Sequence, residues 1–116
     1  MKDRNKERLL YILEAINSIY KFCENQGKKD FIINDLLVSA VLQKFLIIGK
    51  AVSNLDSYIT NKYEFPWHKP RAFRNFIAHE YFHIKAERIW ETIISDLPVI
   101  EDEIRNILIE EFGFVQ

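Results

Sequence analysis

The stretch Arg74-Asn75-Phe76-Ile77-Ala78-His79-Glu80-Tyr81 gathers a guanidinium, an amide, an imidazole and a phenol in an Arg-x4-His-x-Tyr spacing. An imidazole with an ordinary pKa of about 6.5 takes or gives a proton near neutrality, so His79 can act as base or acid. Arg74 keeps its charge, and its planar fork of N–H donors suits phosphate oxygens on which negative charge develops. The Asn75 amide can position a phosphate or the imidazole. Tyr81 is seven residues from Arg74, nearly two turns, and hence on nearly the same face of a regular helix. His79 is five residues from Arg74, about 140° around that helix. The two share a site only if the long arginine reaches around or if the helix begins or bends within the motif. A single chain also has one motif histidine where base and acid call for two, and a two-fold dimer that brings two copies of Arg74 and His79 into one cleft supplies both.

A different chemistry overlaps these residues. His79-Glu80-Tyr81-Phe82-His83 is a literal H-E-x-x-H, in which two imidazoles one helical turn apart chelate zinc and the glutamate activates water. Such a site needs a third protein ligand. No histidine follows His83, and Glu101 and Glu103 lie beyond Pro98 among other acids. His68, His79 and His83 are the only histidines, and from Lys69 to Arg88 the cations Lys69, Arg71, Arg74, Lys85 and Arg88 face only Glu80 and Glu87. This basic window sits in a chain of net charge −1, with 16 Lys and Arg against 17 Asp and Glu. That balance excludes a protein that coats a polyanion through bulk positive charge, so any nucleic-acid contact is a local patch. The acids of Glu101 to Glu111 read as a solvated face.

Further landmarks flank the motif in order along the chain: Ile47-Ile48-Gly49-Lys50-Ala51, Phe65-Pro66-Trp67, Arg88-Ile89-Trp90 and Asp96-Leu97-Pro98. With the Arg-x4-His-x-Tyr motif they resemble the HEPN superfamily, and in particular its HepT-like toxin ribonucleases. Lys50 departs from the pattern, standing where that family usually has Glu. The resemblance implies an all-α, four- to five-helix HEPN-type up-down bundle and a single domain over residues 1–116. It implies metal-independent endoribonuclease chemistry with no cofactor, Arg74 and His79 as catalytic residues, Asn75 as a supporting one, and Tyr81 as an acceptor of AMP. The partners it implies are RNA as substrate, a nucleotidyltransferase antitoxin, and a second copy of the chain in a homodimer or larger oligomer. The alternative is a non-catalytic HEPN module that binds nucleotide or a nucleotidyltransferase and regulates it, with Lys50 a mark of lost activity.

The elements that must position these residues are legible from periodicity. Leu9, Ile12, Leu13, Ile16, Ile19, Tyr20 and Cys23 recur at three- and four-residue spacing, predicting a first helix with Asp3 as N-cap and Gly27 as its stop. Val38, Val41, Leu42, Phe45, Ile48, Val52, Leu55 and Ile59 predict one long second helix of about seven turns, capped by Asn34 or Asp35. Gly49 falls inside it, which predicts close approach of another element there. Asn61 to Lys69 reads as a loop leading into a short helix from about Pro70 to His83. A last periodic segment runs from Ala86 to Gly113, kinked or divided at Pro98.

With 116 residues, 48% of them hydrophobic and 14% aromatic, the chain has the apolar surface for one real core. Trp67 and Trp90 are expected in that core, and His68 and His83 at the surface or packed beside it. Cys23 is the only cysteine, which excludes an intrachain disulfide and fits a reducing cytoplasm. Met1 to Arg8 has no apolar signal region, and the longest strictly apolar run, Phe45 to Ile48, is far short of a bilayer's thickness. A cytoplasmic protein without membrane contact is the expectation.

Overall fold

The computed structural model describes residues 2–114, with side-chain surroundings from Arg4 onward; Met1, Val115 and Gln116 lie outside the described residues. The fold is all-α. Five helices of ten or more residues form its body: α1 (Lys2–Phe22), α3 (Asp35–Ser53), α5 (His68–Glu80), α6 (Ala86–Ser95) and α7 (Leu97–Phe112). Two short helices, α2 (Lys28–Ile32) and α4 (Ser57–Lys62), connect them. The apolar stripes explain the packing. Leu9, Ile12, Ile16 and Ile19 of α1 meet Val41, Phe45, Ile48 and Val52 of α3 in a common core, so α3 lies between α1 on one side and α5 on the other, while α7 returns against α1. Helix α3 is long and apolar enough, by length and composition, to cross a membrane. Here its Val41, Leu42, Phe45, Ile48, Ala51 and Val52 are buried within the bundle.

Several boundaries differ from those read along the sequence, each for a local reason. Helix α1 already includes residue 3, so Asp3 lies within it rather than capping it. It ends at Phe22, before Asn25, whose φ of 64° is the left-handed conformation that asparagine tolerates. Gly27, expected as the stop, instead precedes α2 in extended backbone, where its N–H donates to Asp30 Oδ2 at 3.3 Å. Helix α2 is too short to show a period, yet it seats Phe31, fully buried and 5.3 Å from the Trp90 ring.

The predicted seven-turn helix is two helices. Asn34 is the cap of α3, its Oδ1 accepting from Leu37 N–H at 3.0 Å. The chain then breaks at Asn54–Asp56 although Leu55 and Ile59 continue the apolar stripe and are buried. Helix α1 holds the break: Asn5 Oδ1 accepts from Asp56 N–H at 3.0 Å, and the Arg8 guanidinium donates to the Asn54 carbonyl. Pro98 separates α6 from α7 rather than kinking one helix, since it occupies the first turn of α7. Gly113, with φ of 63°, ends α7 in the left-handed cap.

The acids near the C-terminus are not uniformly solvated. Glu111 has a side chain only 4% exposed; it accepts from Tyr63 Oη at 2.6 Å and Tyr58 Oη at 3.1 Å and pairs with Lys62 at 2.7 Å. Lys62 and these phenols hold its carboxyl down at about 2 and lock α4 to α7. Glu103 moves the opposite way, raised by burial, with Glu110 adding to the effect. Cys23 is half-buried in the turn just after α1, where burial pushes its thiol up.

Candidate active site

Helix α5 carries the motif, and its placement begins with the loop before it. Trp67 is buried beside the Phe65 ring at 4.8 Å, and its indole Nε1–H donates to the Tyr63 carbonyl at 3.1 Å. The satisfied donor makes Trp67 a core anchor and sets the direction in which α5 departs. Pro70 is buried in the first turn, where its missing N–H has no intrahelical role to fill. Phe73 then packs edge-on against Phe45 at 5.1 Å, and Ile77 is fully buried. Positions 70, 73 and 77 thus define the inner face of α5.

Arg74 sits at the margin of that face, half-buried. A Cβ placed on Gly49 would overlap Arg74 Cβ and lie 3.0 and 3.1 Å from its Cδ and Cγ. The stem of the arginine therefore lies flat on the α3 backbone at the one position where no side chain intervenes, which is the close approach that Gly49 predicts. Lys50, the next residue of α3, is exposed.

His79 is exposed in the last turn of α5, and Asn75 is exposed as well. Because α5 is continuous from His68 to Glu80, the helix neither begins nor breaks between Arg74 and His79. Their directions differ by the full five-residue rotation of about 140°. No hydrogen bond or ion pair among the described residues joins Arg74, Asn75 or His79 to another side chain. One chain therefore offers these three groups separately around one helix.

Tyr81 does not continue the helix toward Arg74's face. The backbone changes at Glu80 (φ −114°, ψ 21°), and Tyr81–His83 form a 3-10 turn. Tyr81 is 42% exposed, with the Phe82 ring edge-on at 5.5 Å, and Phe82 itself is 92% exposed. The same break parts the two histidines of H-E-x-x-H: α5 ends between His79 and His83, so they are not the α-helical pair one turn apart that the zinc pattern uses. Among the described residues no three His, Cys, Asp or Glu side chains gather as a metal-binding group. His83 is exposed rather than packed, as is His68 at the start of α5.

On the other flank of α5 a groove of about 590 Å³ opens between the Phe65-Pro66 loop, α5 and α6, floored by Phe45, Phe73 and Phe76. The Arg88 guanidinium lies over the Phe76 ring, 4.7 Å from its centre. In the sequence Arg88 is legible as a member of the basic window and of the Arg88-Ile89-Trp90 landmark. Its pairing with Phe76 spans two helices, a relation visible only in the folded chain.

The family described as Ribonuclease HepT-like matches this chain over residues 12–107. "Putative RNase TTE0752" of Caldanaerobacter subterraneus subsp. tengcongensis is 31% identical over 104 residues, covering 89% of this chain and 93% of that protein. "Probable ribonuclease HepT" of Thermococcus cleftensis is 28% identical over 108 residues, covering 92% and 98%. "Gamma-glutamylcyclotransferase and putative RNase MJ0434" of Methanocaldococcus jannaschii is 31% identical over 111 residues; they make up 95% of this chain and 50% of that longer protein. No solved structure matches. The matched span runs from the core of α1 into α7 and includes all of α5, and with an all-helical bundle carrying Arg74, His79 and Tyr81 on and just after that helix, the chain belongs to the HepT-like ribonuclease family.

Proposed function

We propose that this protein is the toxin of a toxin–antitoxin pair: a metal-independent endoribonuclease that works as a homodimer and is silenced when a nucleotidyltransferase antitoxin AMPylates Tyr81. The observation that carries this reading is the disposition of the motif on α5. Arg74 is seated on Gly49, His79 stands exposed in the last turn, and a single chain has one motif imidazole where the chemistry needs a base and an acid.

RNA brings its own nucleophile. His79 of one subunit takes the proton from a 2′-hydroxyl as its oxygen bonds the adjacent phosphorus. The bond to the 5′-oxygen breaks, and the partner subunit's His79 supplies the proton that the leaving oxygen needs, yielding a 2′,3′-cyclic phosphate and a 5′-hydroxyl. Arg74 neutralises charge on the phosphorane oxygens, and Asn75 positions the phosphate. A two-fold axis beside α5 supplies both imidazoles at once, since an isologous interface pairs each residue with its own copy.

Exposure of Tyr81 and Phe82 on the turn after α5 supports the regulatory half. The Tyr81 oxygen bonds the α-phosphorus of ATP, pyrophosphate leaves, and the phenolic proton is lost. The adenylate places bulk and negative charge beside the phosphate site and repels RNA. Reaction inside the cytoplasm, where such a partner and RNA meet, is part of the proposal.

The test is cleavage of single-stranded RNA in the presence of a chelator. Cyclic-phosphate ends are expected, and His79→Ala should abolish cutting while the helical fold is kept; unchanged cleavage by that variant would remove His79 from the mechanism. After incubation with the cognate transferase and ATP, intact mass should rise by one or more adenylates, and Tyr81→Phe should remain unmodified. One observation favours a second reading. Lys50 sets an exposed cation next to Gly49, the seat of Arg74, where the resembled family usually has Glu. An intact dimer that leaves RNA uncut yet binds nucleotide or the transferase would identify a non-catalytic regulatory module.

A further inference from the structure

The groove beside α5 combines two kinds of surface that single-stranded nucleic acid uses. Its floor is aromatic: Phe73 packs edge-on to Phe45 and lies nearly parallel to Phe76, with ring centres 6.3 Å apart. Its walls carry Lys69 and Arg88 against the single carboxylate of Asp96, so the lining is cationic within a chain of net charge −1. Arg88 makes no ion pair among the described residues; its guanidinium rests on the Phe76 ring with its donors unspent. The volume, about 590 Å³, suits one nucleotide.

The groove runs along α5 as far as Phe76, one turn short of His79. Phe76, half-buried, and His79, exposed, are three residues apart on α5 and therefore neighbours along the helix. Guanidinium, aromatic ring and imidazole follow one another from the groove toward the helix end. A phosphodiester at His79 puts the adjoining base within reach of Phe76.

We propose that this groove is the subsite for the nucleotide next to the scissile phosphate in single-stranded RNA, with Arg88 as the cation that holds its phosphate and Phe76 as the stacking face that Arg88 uncovers when its guanidinium leaves the ring for that phosphate. The subsite rests on the ribonuclease reading above, since RNA is its occupant. Every base has a π-face, so stacking on Phe76 binds without selecting sequence, while Arg88 adds a salt-dependent contact.

The test uses the full chain and a short 2′-O-methyl RNA, which binds but lacks the free hydroxyl needed for cleavage. Phe76→Leu should weaken binding roughly tenfold with little change in salt dependence. Arg88→Gln should weaken it and lower the slope of log affinity against log salt by about 0.7, the loss of one single-strand phosphate contact. A 4-thiouridine photo-crosslink on the unaltered protein, mapped to residues of α5 or α6 lining the groove, tests the same point without relying on a variant. Wild-type affinity and slope in both variants, with crosslinks elsewhere, would overturn the subsite. So would variants that change only the oligomeric state, which would make the groove a protein contact. Loss of the subsite leaves the His79 assignment standing, and continued cleavage by His79→Ala leaves the subsite standing, so the two failures are distinguishable.

Discussion

Gly49 and Arg74 are matched across the α3–α5 interface: the arginine's Cβ, Cγ and Cδ occupy the space that any side chain at 49 would fill. Gly49 costs helix α3 about 1 kcal/mol relative to alanine, and what that cost provides is the seat of a proposed catalytic cation. Because the overlap begins at Arg74 Cβ, rotation of the arginine cannot relieve it. Gly49→Ala should therefore part α3 from α5, with a net destabilisation of about 1–2 kcal/mol after the propensity gain, together with loss of RNA cleavage. Urea unfolding and a cleavage assay check this. Arg74→Ala retains the Cβ and should not rescue stability in the double variant.

Asn5 is 1% exposed and fastens the break between α3 and α4 through Asp56 N–H. Asn5→Leu should leave that N–H without its acceptor and cost about 1–3 kcal/mol, read from thermal or urea unfolding.

Glu111 gives the fold an acid-sensitive joint. Its folded pKa of about 2 lies below the unfolded value of about 4.3, so its contribution is complete above the unfolded pKa. As pH falls, the unfolded chain takes up the proton first, and the contribution is lost by the time pH reaches the folded value. Unfolding experiments between about pH 5 and pH 2 should show stability declining over this window. Glu111→Gln should flatten the decline, as Gln cannot titrate, and Lys62→Met should shift it toward higher pH.

Legibility in the sequence followed the physical range of each cause. Asn34 as a cap, Gly49 as a close approach, Pro98 as a boundary and Gly113 as a stop act within a few residues or through a missing atom, and each can be read locally. The break at Asn54–Asp56 could not be, because Leu55 and Ile59 keep the apolar period while Asn5 and Arg8, about fifty residues away, take up the backbone groups. The end of α5 at Glu80 has no Gly or Pro to announce it, so the spacing places Tyr81 on Arg74's face, whereas in the fold it begins a 3-10 turn. Within the motif, the rotation between Arg74 and His79 was calculable from their spacing. The Phe76–Arg88 contact was not, because it joins two helices.

A mixed dimer distinguishes one site shared by two subunits from two independent sites. Differently tagged wild-type and His79→Ala chains can be coexpressed and the heterodimer isolated, with its size confirmed by sedimentation. A shared cleft that needs one imidazole as base and the other as acid predicts that this dimer, with a single His79, cleaves RNA at least about a hundredfold more slowly than wild type. Retention of half the wild-type rate, as two independent sites would give, would contradict the account.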